Sequence, residues 1–236
     1  MEQKAVLEAE GISAGYGRMQ IIWDCSLSVR EKETVLLLGS NGSGKTTLMK
    51  GIMGFLPPMA GRVHFNGRDV TGMRVHEKAR LGIVYSSESS IYTLMTVREN
   101  LVMSSVYRRE GMEERMRRVF EVFPDLRKYE KQRASSLSGG QRKMLSVGRT
   151  MMASPSLLML DEPSSGLSPL FTERIIDALR VLKDMGIPML ISEQNVEFTR
   201  IADSVLVLDH GRVVFSGSES EAERNDAIRS AYFGIG

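Results

Sequence analysis

Cysteine occurs once in 236 residues, tryptophan once, histidine three times and proline seven times. A single cysteine excludes a disulfide framework and suits a reducing cytoplasm. Cys25 lies in the alternating stretch Ile21 to Val29 and reads as a small buried apolar side chain. An excess of either charge is also missing: Lys+Arg is 31 against Asp+Glu 29, a formal net charge of +2. That balance excludes a general attraction to nucleic acid or anionic lipid, so no nucleic-acid partner is expected. The longest uninterrupted apolar runs are four or five residues, against the roughly 20 that cross a bilayer. The N-terminus, MEQKAVLEAEG, lacks the apolar core of a secretory signal. No internal repeat is visible, and the serine-rich Ser86 to Ser90 is the one biased tract.

A chain of this length fits one α/β domain, residues 1–236, carrying an inserted or appended subdomain. Residues 4–38 alternate with period two around Gly11, Gly15 and Gly17, which predicts short antiparallel strands and turns, then a buried strand over 34–38. Leu48, Met49, Ile52 and Met53 recur at helical spacing before Pro57-Pro58. Thr96-Val97-Arg98-Glu99 has the form of a capping box, and helical patterning runs on to Phe123, where Pro124 interrupts it. The region from about 86 to 150 is expected to be a helical subdomain. Leu157 to Leu160 and Pro188 to Ile191 are continuous apolar runs, the pattern of parallel strands covered on both faces. A hairpin is predicted over 204–215 around Asp209-His210-Gly211, and a final amphipathic helix over 219–232. The arginines between Arg108 and Arg118 alternate with Glu110, Glu113 and Glu114 and read as a solvated helix face.

Residues 39–46 read GSNGSGKT directly after the apolar run Val35 to Leu38. The spacing G-x-x-x-x-G-K-[ST] arises by chance in roughly one chain in a hundred of this size. A loop of this kind turns its backbone N–H groups into a nest for phosphate at a helix N-terminus. Gly39, Ser40, Asn41, Gly42, Ser43, Gly44, Lys45, Thr46 and Thr47 are therefore the candidate ATP-binding set. Lys45 would reach the β- and γ-phosphates, and the Thr46 hydroxyl would bind Mg²⁺. A second element is the apolar strand ending in Asp161-Glu162. Asp161 would hold Mg²⁺ through water, and Glu162 would orient or deprotonate the attacking water.

Between these two elements stands Leu137-Ser138-Gly139-Gly140-Gln141. In that context it resembles the signature of the ABC ATPase family, and the resemblance covers essentially the whole chain. It implies a P-loop NTPase core with a mixed, mainly parallel sheet, an N-terminal antiparallel β subdomain and an inserted helical subdomain. It further implies that Ser138, Gly139, Gly140 and Gln141 act on ATP held by the P-loop of a second subunit. Tyr16 takes the place of the aromatic that stacks on adenine. Ser168 stands where many members have Asp. Glu88 is the candidate for the glutamine that usually faces Mg²⁺ and the attacking water, so it enters both the catalytic and the metal set. Gln194 stands where a histidine usually contacts the γ-phosphate.

The exchanges at Glu88 and Gln194, with Thr96-Val97-Arg98-Glu99-Asn100-Leu101 and the end Ile228 to Gly234, resemble one branch. That branch is the LivF type of ATP-binding subunit from branched-chain amino acid importers, although the Pro-Glu-Gly-Arg usual around its loop glutamate is missing. The resemblance implies a transport-coupled ATPase using ATP and Mg²⁺ and paired with transmembrane permease subunits. A second ABC ATPase subunit, a related chain or another copy, would complete it. The expected location is cytoplasmic, on the inner face of the membrane, with membrane contact only through the permease. Urea or short-amide import, a non-transport ABC ATPase and a non-hydrolysing regulator are the alternatives.

Overall fold

In the computed structural model, which describes residues 4–87 and 91–225, β1 (Ala5–Tyr16) and β2 (Met19–Arg30) form a long antiparallel pair. Each runs for 12 residues, longer than the short strands the glycines predict. Gly11 explains the difference. It sits inside β1 at φ +59, where the register shifts between Ala9 and Ile12, and so makes a bulge instead of a turn. Gly15 is also within β1, where a Cβ would stand 1.9 Å from the Met19 carbonyl oxygen. Only Gly17, at φ +61, lies in the turn itself.

β3 (Thr34–Leu38) leads through the glycine loop into α1 (Lys45–Met53), which stops at Gly54 in the left-handed conformation. β4 (Ala60–Phe65) and the two-residue β5 (Arg68–Asp69) extend the first sheet to the order β2-β1-β4-β5. α2 (Val75–Leu81) then precedes β6 (Ile83–Ser86). Four helices follow: α3 (Val97–Ser104), α4 (Met112–Val122), α5 (Pro124–Lys128) and α6 (Gly139–Ala153). Thr96 and Ser138 cap α3 and α6 with reciprocal boxes to Glu99 and Gln141. β7 (Leu157–Asp161), α7 (Pro169–Asp184), β8 (Met189–Glu193), the hairpin β9 (Ser204–Asp209) with β10 (Arg212–Gly217), and α8 (Glu219–Arg224) complete the described chain. Residues 226–232 of the predicted last helix and the stretch Ile228 to Gly234 lie outside the described residues.

The second sheet has the order β10-β9-β3-β8-β7-β6. It is parallel from β9 to β6, and only β10 runs antiparallel. Its central strands are buried on both faces, which is why they read as unbroken apolar runs. Leu36 and Leu38 pack with α3, α4, α6 and α7, while Val35 and Leu37 pack with α1 and the first sheet. On α1, Leu48, Met49, Ile52 and Met53 are 2 % exposed or less, worth about 1.5–3 kcal/mol each as buried apolar side chains. That packing fixes the start of α1, and with it the glycine loop, against the C-terminal ends of β3, β7 and β8. Crevices at this edge of a parallel sheet are where such folds bind ligands.

Candidate nucleotide site

The loop between β3 and α1 bends through two left-handed glycines, Gly42 at φ +84 and Gly44 at φ +109. Any side chain at 44 would also strike Ile22, whose Cδ1 lies 2.6 Å from a built Cβ. Ser43 is 4 % exposed, and its hydroxyl has no hydrogen-bond partner. That hydroxyl packs back against Gly39, where a Cβ would stand 2.5 Å from it, so the loop closes tightly on its own first glycine. Ser40, Asn41 and Gly42 are exposed on the same loop, and Gly39 is buried at the strand end. Thr47, one residue into α1 from Thr46, is buried on the core side of that helix.

Lys45 is the first residue of α1 and only 3 % exposed. Its Nζ donates to the carbonyl oxygens of Gly39 at 2.8 Å and Ser40 at 3.1 Å, and pairs with Glu162 Oε1 at 3.0 Å. The lysine thus lies folded over its own loop with its charge shared with the candidate base. Glu162 sits just beyond β7 in a left-handed conformation, φ +49, a geometry that costs a non-glycine residue about 1–3 kcal/mol. Neighbours hold that turn. The Glu162 N–H donates to Ser192 O at 2.9 Å, and Lys143 Nζ donates to Glu162 O at 3.0 Å.

Asp161 is 7 % exposed and collects three hydroxyls. Thr46 Oγ1 donates to Oδ1 at 3.1 Å, Ser192 Oγ to Oδ1 at 2.6 Å, and the Tyr85 hydroxyl to Oδ2 at 2.9 Å. Burial, and then the Asp161 charge, push the Tyr85 phenol far above its ordinary pKa, so it stays a donor. Thr46 and Asp161 together offer hard oxygen ligands, the donor chemistry that suits Mg²⁺. Tyr85 and Ser192 were not legible as site residues in the sequence. They belong to strands flanking β7, and only the register Tyr85↔Met159 and Ser192↔Asp161 brings them to the carboxylate.

Glu193 is a further residue that sequence reasoning missed as a site residue. It ends β8 at 2 % exposure. Its Oε1 accepts the Ser164 N–H at 2.7 Å, and its Oε2 accepts the N–H groups of Gln194 at 3.1 Å and Asn195 at 3.5 Å. Burial raises its pKa. Gln194, exposed beyond it, lines one cleft of about 370 Å³ with Asn41, Glu162 and Ser164.

Tyr16 ends β1 and is 48 % exposed. Ser138 and Gly139 are exposed at the start of α6. Gly140 is buried, with a built Cβ 2.8 Å from the Phe171 ring, and Gln141 is spent on the capping box. Among the described residues no hydrogen bond joins Ser138, Gly139, Gly140 or Gln141 to residues 39–47 or to the side chains of Asp161 and Glu162. Ser168 caps α7 with no side-chain hydrogen bond. Glu88 lies outside the described residues.

A glycine loop folded over a buried lysine, with a hydroxyl-held aspartate and a glutamate at the ends of adjacent parallel strands, defines a P-loop nucleotide hydrolase. Residues 22–165 match the family model of the ABC transporter, and the chain belongs to that family as an ATP-binding subunit with ATPase chemistry. It is 33 % identical to the high-affinity branched-chain amino acid transport ATP-binding protein BraG of Pseudomonas aeruginosa, over 97 % of this chain and 100 % of that one. It is likewise 33 % identical to the probable branched-chain amino acid transport ATP-binding protein LivF of Archaeoglobus fulgidus, over 98 % and 99 %. The lipopolysaccharide export ATP-binding protein LptB of Acidithiobacillus ferridurans is 32 % identical over 97 % of each chain. Among solved structures, the ADP conformation of the ATP-binding cassette MJ1267 superposes with a TM-score of 0.84 at 29 % identity, covering 98 % of this chain and 100 % of that one.

Proposed function

We propose that this chain is the ATP-hydrolysing subunit of an importer for branched-chain or other hydrophobic amino acids, working with separate transmembrane permease subunits on the inner face of the membrane. The observation that carries this reading is the end-to-end similarity to BraG and LivF around a site with every P-loop part. No helix among the described residues is long and apolar enough to cross a membrane, in keeping with a division of labour between this chain and membrane subunits.

In this reading the β- and γ-phosphates enter the loop, meet the N–H groups of residues 42–46, and draw Lys45 off Glu162. Freed from the lysine, the Glu162 carboxylate accepts the proton of the attacking water. Gln194, on the cleft it shares with Glu162, donates an amide hydrogen bond to the γ-phosphate; unlike a histidine it carries no proton at neutral pH. Thr46 and Asp161 would hold Mg²⁺, which would neutralise charge on the phosphate oxygens. Ser138 and Gly139 face outward at the N-terminus of α6, a position suited to the γ-phosphate held by a second ABC subunit. ATP would then close two subunits, and hydrolysis would reopen them.

The similarity to LptB, and the absence of Pro-Glu-Gly-Arg near residue 88, give lipid export a specific claim as a second reading. Proteoliposomes containing this chain and candidate permease subunits separate the two. ATP-dependent leucine uptake that disappears with Lys45→Ala supports import. Uptake of urea or short amides in its place, or ATP-dependent lipopolysaccharide extraction, would overturn it.

A further inference from the structure

The Tyr85 ring and the Tyr85 hydroxyl face different parts of the molecule. Its ring packs on Phe55, centroids 5.3 Å apart at 54°, and both rings line a groove of about 420 Å³ between the core and the helical layer. Phe55 is 49 % exposed, and Tyr92 and Met103 on the same wall are 50 % and 43 % exposed. The hydroxyl leaves the groove and donates to Asp161 Oδ2, with Ser87 in hydrogen-bond contact with the same phenol. Oδ1 of that carboxylate is already taken by Thr46 and Ser192. Tyr85 is therefore the donor that fixes the second oxygen and, with it, the rotation of the carboxylate plane.

We infer that Tyr85 is a positioning residue that ties the groove wall to the orientation of Asp161. This rests on the reading of Thr46 and Asp161 as the Mg²⁺-holding pair. A carboxylate held on one oxygen only can rotate, and loss of such an outer partner typically costs about 10–100-fold in metal affinity. The geometry also gives the groove a lever. Phe55 supports the ring that carries the hydroxyl, so whatever presses on Phe55 and Tyr85 acts on the carboxylate two bonds of contact away.

The test is binding of trinitrophenyl-ATP to the purified full chain, titrated with MgCl₂, alongside thermal melting. Tyr85→Phe keeps the ring and removes the hydroxyl. Its half-saturating Mg²⁺ concentration is expected to rise about 10–100-fold, with metal-free nucleotide affinity as in the parent and Tm lowered by the loss of one hydrogen bond to a buried carboxylate. Phe55→Ala, at a half-exposed position with little stability at stake, is expected to shift Mg²⁺ in the same direction by a smaller factor. An unchanged Mg²⁺ requirement in Tyr85→Phe overturns the assignment, as does an equal loss of metal-free affinity. An unchanged requirement in Phe55→Ala overturns the link to the groove. A parent chain whose nucleotide affinity ignores Mg²⁺ refutes instead the metal reading on which the proposal stands.

Discussion

Glu193→Gln is expected to slow ATP turnover and to lower Tm only modestly. The carboxylate accepts on both oxygens, from Ser164 on one side and from Gln194 and Asn195 on the other. An amide of the same shape has one acceptor oxygen and must present its NH₂ to an N–H group on the other side. Each N–H bond to a charged acceptor is worth about 1.5–3 kcal/mol. Glu162, two residues before Ser164, holds a left-handed conformation at φ +49, which stores about 1–3 kcal/mol. The lost bond is thus as large as the strain it helps to contain, and the turn carrying Glu162, the proposed base, relaxes. At about 1.4 kcal/mol per tenfold, kcat for phosphate release should fall about 10–100-fold, with KM for ATP little changed. The effect on stability is smaller. Burial raises the Glu193 pKa. A raised carboxyl contributes stability below its ordinary pKa, and that contribution is lost as pH climbs through the raised value. Glutamine gives up a hydrogen bond to a charged acceptor but escapes that burial cost, so Tm should fall by less than the loss of a whole such bond would bring. A lowered Tm with kcat equal to the parent's would refute the reasoning and make Glu193 a structural residue.

Other consequences follow from single contacts. Lys78 is fully buried against the Ile52 carbonyl oxygen at 2.6 Å, and burial lowers its pKa from 10.5 to about 8. Its charge therefore costs stability below that value, and stability is regained as pH rises from about 8 to 10.5. Lys78→Met should flatten this part of the Tm-against-pH curve, a change of at most roughly 3 kcal/mol; parallel curves would contradict it. Gly140→Ala forces a methyl to within 2.9 Å of three Phe171 ring atoms, an overpacking cost of about 1–3 kcal/mol. Phe171→Leu in the same chain should recover part of the lost Tm, and strict additivity would argue that the contact is not the cause. Gln194→His adds a donor that also carries a proton, and should raise turnover several-fold in the assembled transporter; no change would argue that this position does not limit hydrolysis.

Much of this site was legible because its parts are contiguous. The glycine loop, Lys45 and Thr46 form one eight-residue spacing, and Asp161-Glu162 end an apolar run whose burial on both faces leaves no polar alternation to misread. Gly11 misled because bulges and turns ask for the same left-handed conformation, and only the partner strand tells them apart. Tyr85, Ser192 and Glu193 were illegible as site residues because their roles come from cross-strand register. The bonds Tyr85–Asp161 and Glu193–Ser164 span 76 and 29 positions. The signature was legible as a motif, and among the described residues no hydrogen bond ties it to residues 39–47.

The most direct measurement is complementation between two silent variants. Lys45→Ala loses the loop lysine and keeps the signature, whereas Ser138→Arg keeps the loop and blocks the signature. Each alone should release no phosphate from ATP. If the signature acts across a pair of identical chains, mixing them builds one intact site in each mixed pair. Turnover should then recover to roughly a quarter of the parent's, since half the pairs are mixed and half their sites are whole. A mixture as silent as either variant, under conditions where the parent chain hydrolyses ATP, would contradict the claim that Ser138 serves ATP held by another subunit.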